Sequence, residues 1–265
     1  MKPELDDHSA DGGYVSILPV EGRRLTLPKS EGEHFCLAQL DDYLKMERSN
    51  FPHQPPLKIE LEAKASGSDL AGTWGFGFWN DPFSMGLLAG GVSRILPVLP
   101  NAAWYFYASP ESHLSLVDQL SGSGFMARTY RSPLLPGVFS LLTMFLFPLV
   151  ISKWGRRLLR RTARFIVRED GKQVDVDVCE WHAYALDLTK TEAVFLVDEE
   201  IIFQTPITPR GKLGFALWMD NQYFRFDPEG RIGFGFLPVP SDQYLQVRAL
   251  KITDLKAQGQ VITNH

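Results

Sequence analysis

The chain has only two cysteines, Cys36 and Cys179, too few for a disulfide framework and too far apart in sequence for a zinc motif, so two buried thiols are expected. Its histidines, at positions 8, 34, 53, 113, 182 and 265, show no metal-ligand spacing, and neither a metal nor a cofactor is expected. Positive charge is not in excess. The 27 Lys and Arg against 31 Asp and Glu leave a net charge of −4, which argues against a general nucleic-acid binder. The Gly-x-Gly pairs at 75/77 and 233/235 lack the helix and the third glycine of a dinucleotide fingerprint and read as strand glycines. The opening MKPELDDH is acidic and has no apolar run of the signal-peptide kind, so a cytoplasmic chain, peripheral to a membrane at most, is the expectation.

What is present is strand material. The 265 residues suit one large domain, and 45% apolar content excludes global disorder. Six Trp, eight Tyr and 18 Phe accompany 22 Gly and 18 Pro, a mix that favours short strands joined by turns. Residues 57–65, LKIELEAKA, alternate Leu57, Ile59, Leu61, Ala63 and Ala65 with Lys58, Glu60, Glu62 and Lys64, the period-two pattern of a half-buried strand. Residues 74–79 put Trp74, Phe76 and Phe78 on one face and leave Gly75 and Gly77 bare on the other, where a neighbouring element or a ligand can come close. Further runs are read at 103–108, 174–178, 181–188, 193–197, 213–218, 222–226, 232–236 and 244–252, with turn formers between them. The regular spacing predicts an antiparallel sandwich rather than βαβ units.

One stretch departs from this pattern. Residues 133–151, PLLPGVFSLLTMFLFPLVI, carry no charge, but Pro136, Gly137 and Pro148 interrupt them too often for a membrane-spanning helix. A broken apolar hairpin is expected. Directly after it, Lys153, Arg156, Arg157, Arg160, Arg161, Arg164 and Arg168 occur without one acid. On a helix these basic residues share a sector of roughly 140°, opposite Trp154, Leu158, Leu159, Ala163, Phe165 and Ile166. Helix is expected mostly within 138–166. Two readings stand side by side. In one, the apolar side of a surface helix caps the sandwich, the hairpin folds back or mediates a homo-oligomer, and the arginines pair with acids elsewhere in the chain. In the other, Phe139, Phe145 and Phe147 enter a membrane interface while Arg156, Arg160 and Arg164 contact anionic headgroups.

Residues 181–218 and 243–252 resemble the C-terminal half of the laminarinase- and lichenase-type glycoside hydrolases and their concanavalin A-like relatives. Trp181, His182 and Tyr184 match the family's aromatic-His-x-Tyr strand, and Val197-Asp198-Glu199 matches its Val-Asp-Gly with the glycine missing. LGFALWMDN, 213–221, stands where the cleft strand would be, and LKIELEAKA followed by GTWGFGFW resembles the family's paired Trp-rich strands. The resemblance covers about residues 55–125 and 172–255. It implies an all-β, concanavalin A-like jelly roll of two antiparallel sheets, with residues 1–13 a flexible N-terminus, 14–255 one sandwich carrying 126–171 as a helical insertion, and 256–265 a tail.

The family's catalytic strand carries Glu-x-Asp-x-Glu or a one-residue-longer variant, because retaining hydrolysis needs two carboxyls about 5–5.5 Å apart. Here that strand reads AWYFYASPE, and the only acids between 90 and 130 are Glu111 and Asp118. Non-catalytic binding of a glycan or glycoconjugate is therefore expected, with Trp74, Trp79, Asn80, Asp81, Trp104, Tyr107, Trp218, Asp220 and Asn221 as candidate ligand residues. His182 joins them as a core or cleft histidine. Rings beside short amides and acids, as in Trp79-Asn80-Asp81 and around Trp218, suit sugar hydroxyls. One alternative is a glycoside hydrolase using the displaced run Asp175, Asp177 and Glu180; the bland account of that run is a strand with Val174, Val176 and Val178 inward and the acids solvated. Another is a structural or adaptor sandwich with no sugar ligand. The direction in which Trp79, Trp104, Asp177 and Trp218 point separates a binding face from a packed core.

Overall fold

The computed structural model describes residues 5–19, 22–82, 98–134, 149 and 151–255. Alternating apolar residues need a second surface to cover their buried face, and two seven-stranded antiparallel sheets supply it for each other. The first runs, in spatial order, β1 (Asp6–Ala10), β4 (Leu37–Asp41), β13 (Gly214–Asp220), β6 (Thr73–Trp79), β7 (Ala102–Ala108), β8 (Gly124–Arg131) and β9 (Arg168–Gln173). The second runs β12 (Glu200–Thr205), β11 (Ala193–Val197), β10 (His182–Leu188), β5 (Leu57–Ala65), β16 (Gln243–Asp254), β3 (Gly22–Leu27) and β2 (Tyr14–Leu18). A separate ribbon pairs β14 (Gln222–Phe226) with β15 (Ile232–Phe236).

β5 shows the predicted alternation without exception: Leu57, Ile59, Leu61, Ala63 and Ala65 are buried and the residues between them are not. Between the sheets Phe76, Phe78, Tyr105, Phe215 and Leu217 of the first meet Leu61, Leu186, Phe195 and Leu245 of the second. The Tyr105 hydroxyl crosses this core to the carbonyls of Ala185, at 3.0 Å, and Leu196, at 2.7 Å. The other expected strands form to within two residues, apart from 174–178. That segment carries the chain from the edge of the first sheet to the second. Val174 and Val178 are buried as its anchors while Asp175 and Asp177 are exposed, so one-sided burial of a crossover produced the period of two. Two further differences concern boundaries. Residues 6–10, assigned from sequence to a flexible terminus, pair with β4, and β8 and β9 extend the first sheet into the range read as an insertion.

The helix α1 (Lys153–Ile166) lies between β8 and β9 in sequence. Ser152 caps it, its Oγ accepting from the Gly155 amide at 2.9 Å. Gly155 is required because a Cβ there would collide with the carbonyl oxygen of Leu149. The apolar side does not cap the sandwich; three of the arginines turn inward instead, two of them to an acid elsewhere in the chain, as the first reading expects. Arg160 is only 3% exposed, whereas Trp154 is 70% and Phe165 88% exposed. Arg160 Nη1 donates to the carbonyls of Ser115 and Phe226, both at 2.6 Å, and Nη2 to Asp118 at 3.0 Å. Arg156 donates to Gly230 O at 2.6 Å and Arg164 to Asp118 at 2.8 Å. The three arginines assigned to lipid headgroups are thus bound to the protein, because loop carbonyls and one carboxylate at this end of the sandwich satisfy guanidinium donors that an apolar side could not. The apolar side faces out. Phe139, Phe145 and Phe147 lie outside the described residues, as does the tail from 256. Among the described residues no helix is long and apolar enough to cross a membrane.

Candidate functional site

The outer face of the first sheet follows directly from its register. One row across the strands reads Arg128, Trp104, Gly77, Ala216, Asp41, and the next reads Met126, Phe106, Gly75, Trp218, Gln39. Trp79 and Tyr130 belong to the row on one side of these, and Thr73 and Asp220 to the row on the other. The bare glycines now have an explanation. A Cβ on Gly75 would collide with the Tyr105 carbonyl oxygen and stand 2.9 Å from Cη2 of Trp218, and one on Gly77 would collide with the Ala103 carbonyl oxygen and stand 2.6 Å from Cα and Cβ of Trp104, so the close approach of β7, with the Trp218 ring over Gly75, requires both glycines. The rings form a continuous cluster, with centroids 5.6 Å apart for Trp79–Trp104 and for Trp104–Trp218, and 5.7 Å for Phe106–Trp218. All three tryptophans are partly exposed.

Polar contacts fix this surface. Trp218 Nε1 donates to Thr73 Oγ1, and Thr73 Oγ1 donates to Asp220 Oδ1, each at 3.0 Å. Asp220 also accepts from the Gln222 amide at 3.0 Å, but burial outweighs these bonds and pushes its carboxyl up to about 7. Asp41 is spent on the fold, accepting from Gln39 Nε2 at 2.9 Å and from the amides of Tyr43 and Leu44 at 3.1 and 2.8 Å, with His8 Nδ1 at 2.7 Å. Arg128 and Glu169 form a buried ion pair at 2.5 Å, and Glu169 Oε2 accepts from the amides of Leu116, at 2.7 Å, and Val117, at 3.3 Å. The indole N–H groups of Trp79 and Trp104 are buried and have no hydrogen-bond partner among the described residues.

The structure brings together Trp79, Trp104, Trp218 and Asp220, and separates the other candidates from them. Trp74 and Tyr107 face the inter-sheet core: their rings stack at 5.5 Å, Trp74 also stacks on Phe125 at 4.8 Å, and the Tyr107 hydroxyl binds the backbone of Leu70. They stand on the opposite face of β6 and β7 from the tryptophan cluster. Asn80 braces a loop, donating to Leu99 O and accepting from the Asn101 amide, both at 2.9 Å. Asp81 is fully buried with φ 46°, and its carbonyl accepts from Arg48. Asn221 is fully buried, accepting from the Cys36 amide and donating to the carbonyls of His34 and Leu237. These amides complete the backbone rather than wait for a ligand. His182 lies on the second sheet, 2.6 Å from Asp198, whose carboxyl this contact holds below the usual range. Asp175, Asp177 and Glu180 lie in the crossover, where Asp177 caps a turn by accepting from the Cys179 amide at 3.0 Å.

Arg128 and Glu169 were not anticipated, because 126–171 has no counterpart in the family resemblance. The signal was available: GFMARTYR alternates Phe125, Ala127 and Thr129 with Met126, Arg128 and Tyr130, a period-two strand like the rest.

No known family model matches the sequence, and no curated protein sequence matches it. Among solved structures the chain is similar to a β-glucanase of Bacillus licheniformis, at 12% identity and TM-score 0.47, with 94% of this chain and 92% of that one covered. It is also similar to a protein of Mycobacterium tuberculosis described as an immunostimulatory antigen and pseudo β-1,3-glucanase, at 11% identity and TM-score 0.49, covering 94% and 89%. In a sialidase, at 10% identity and TM-score 0.44, 94% of this chain spans 17% of that chain. These likenesses concern the fold alone, which the two antiparallel sheets described above make an all-β sandwich.

Proposed function

We propose that the outer face of the first sheet binds a glycan through Trp79, Trp104 and Trp218 and does not hydrolyse it. The observation that carries this reading is the gathering of three partly exposed indoles, distant in sequence, over a strip of sheet kept bare by Gly75 and Gly77. Flat rings offer the C–H faces of a pyranose a stacking surface. Asp220, at the edge of the same strip, positions Trp218 through Thr73.

Against turnover stands the spacing of the acids. Asp41 pairs opposite Ala216, four residues along β13 from Asp220, so the two lie roughly 13–14 Å apart along the strand. Retaining and inverting hydrolysis need carboxyls about 5–5.5 and 6.5–9.5 Å apart, respectively. Glu169 sits on the far edge strand and is held by Arg128.

Affinity electrophoresis and calorimetry against β-glucans and other polysaccharides, with a reducing-sugar assay alongside, test the reading. Binding without sugar release, weakened at least tenfold by Trp104→Ala and by Trp218→Ala, is expected. Failure to bind any polysaccharide of the panel, with correctly folded protein, would remove it in favour of a structural sandwich. Sugar release lost in Asp177→Asn or Glu180→Gln would replace it with hydrolysis by the crossover acids.

A further inference from the structure

We propose that the outward side of α1 docks on the surface of an anionic phospholipid bilayer. This inference is independent of the glycan reading, and it inverts the helix orientation that the sequence suggested. Trp154, Leu158 and Phe165 fall within about 40° of one another around the helix and are 70%, 40% and 88% exposed. Arg157 and Arg161, both exposed, occupy the sector beside that stripe; Arg157 Nε donates to the Glu229 carbonyl at 3.1 Å, whereas Arg156, Arg160 and Arg164 are bonded to the protein on the inner side. An apolar stripe edged by guanidinium groups is the pattern of a helix lying in a membrane interface: the rings enter the headgroup boundary and the long basic side chains reach back to phosphate. An aromatic such as Trp154, amphipathic in itself, suits that boundary.

Charge selects the occupant. From residue 133 to residue 168 the chain contains no acid, and Asp118, the carboxylate beside α1, is already bonded to Arg160 and Arg164. What the exposed side offers is therefore uncompensated positive charge around an apolar centre, complementary to an anionic lipid surface. A second copy of the chain meeting the first through this stripe about a twofold axis would bring Arg157 and Arg161 towards their own equivalents. Two hollows border the stripe: one of about 430 Å³ has Trp154 and Leu158 beside Arg157 and Arg161, with Asp118, already paired, in its wall, and another of about 480 Å³ has Phe165 beside Arg161 and Arg168, with Glu169, held by Arg128, in its wall.

The test is sedimentation of the full chain with phosphatidylcholine vesicles, with and without phosphatidylserine. Binding is expected only with phosphatidylserine, weaker in high salt, and reduced about tenfold by Phe165→Asp and by the double change Arg157→Glu with Arg161→Glu. These side chains are exposed, so the far-ultraviolet circular dichroism of the variants should match the parent. Quenching of tryptophan emission by brominated lipid, diminished in Trp154→Phe, reads the same contact without a change of charge. Recovery in the supernatant regardless of lipid charge, or binding indifferent to all three substitutions, overturns the proposal. So does a dimer, seen by light scattering without vesicles, that Phe165→Asp dissociates.

Discussion

The aromatic face of the first sheet and the helix α1 both combine rings with arginines, and they solve the combination in opposite ways. On the sheet the rings cluster and the arginine is buried against an acid: Arg128 is 2% exposed, with Glu169 as its partner. On the helix the rings are left in solvent, and Arg160, 3% exposed, is satisfied mainly by backbone carbonyls. The difference lies in what each element meets. A strand in a sandwich has one face committed to the other sheet, so the period of two dictates where every side chain goes. A helix laid over loops meets whatever those loops present, and the loops around Ser115, Phe226 and Gly230 present carbonyl oxygens.

The largest effect should come from breaking the sheet's ion pair. Glu169→Gln leaves Arg128 buried without a counter-charge, and a single amide oxygen cannot both face the guanidinium and accept from the amides of Leu116 and Val117. Removing one partner of a buried pair costs about 3–5 kcal/mol, read as a lowered urea midpoint. A loss under about 1 kcal/mol would mean that Arg128 is solvated and that the two arginines differ less than their burial implies.

Asp220 sharpens the comparison through pH. Its carboxyl is raised to about 7 in the folded chain, whereas an unfolded aspartate titrates near 4. Between those values the folded state holds a proton that the unfolded state has lost, so stability falls as pH rises from about 4 to about 7, by at most roughly 1.4 kcal/mol per pH unit, and is level above. Asp220→Asn keeps an oxygen for Thr73 and Gln222 but cannot titrate. The difference between parent and variant stability should carry that slope, and parallel pH profiles would show that Asp220 is solvated after all.

The sandwich was legible in the sequence because its strands alternate, as in Leu57–Ala65, and each alternation has one physical outcome. The candidate surface was legible in part. The register places Trp79, Trp104 and Trp218 on one outer face and Trp74 and Tyr107, grouped with them from sequence, on the other, because residue type does not reveal which face a ring takes. Asn80 and Asn221 read as sugar-binding amides because a short amide at a strand end serves a ligand or the backbone equally well. The crossover at 174–178 imitated a strand because burial of Val174 and Val178 on one side produces the same pattern. For α1 the sequence defined two sides and contained nothing about the loops they would meet.

That last point yields the comparison with the smallest expected effect. Arg160→Leu removes the donors held by Ser115 O, Phe226 O and Asp118, leaving two carbonyls under the helix without these partners; loss of such charged hydrogen bonds costs about 1.5–3 kcal/mol. The Asp118 contribution is small, since that carboxylate is 43% exposed and screened by water. Phe165→Ser removes a larger apolar group from the same helix, yet at 88% exposure its effect on stability should stay within about 0.5 kcal/mol. Ordinary amphipathic packing predicts the reverse order, with the phenylalanine costly and the arginine dispensable. Urea midpoints of the two variants decide between these orders: if Phe165→Ser proves the more destabilising, the apolar side is buried in solution, and both the arginine-inward orientation and the membrane-docking stripe fall together.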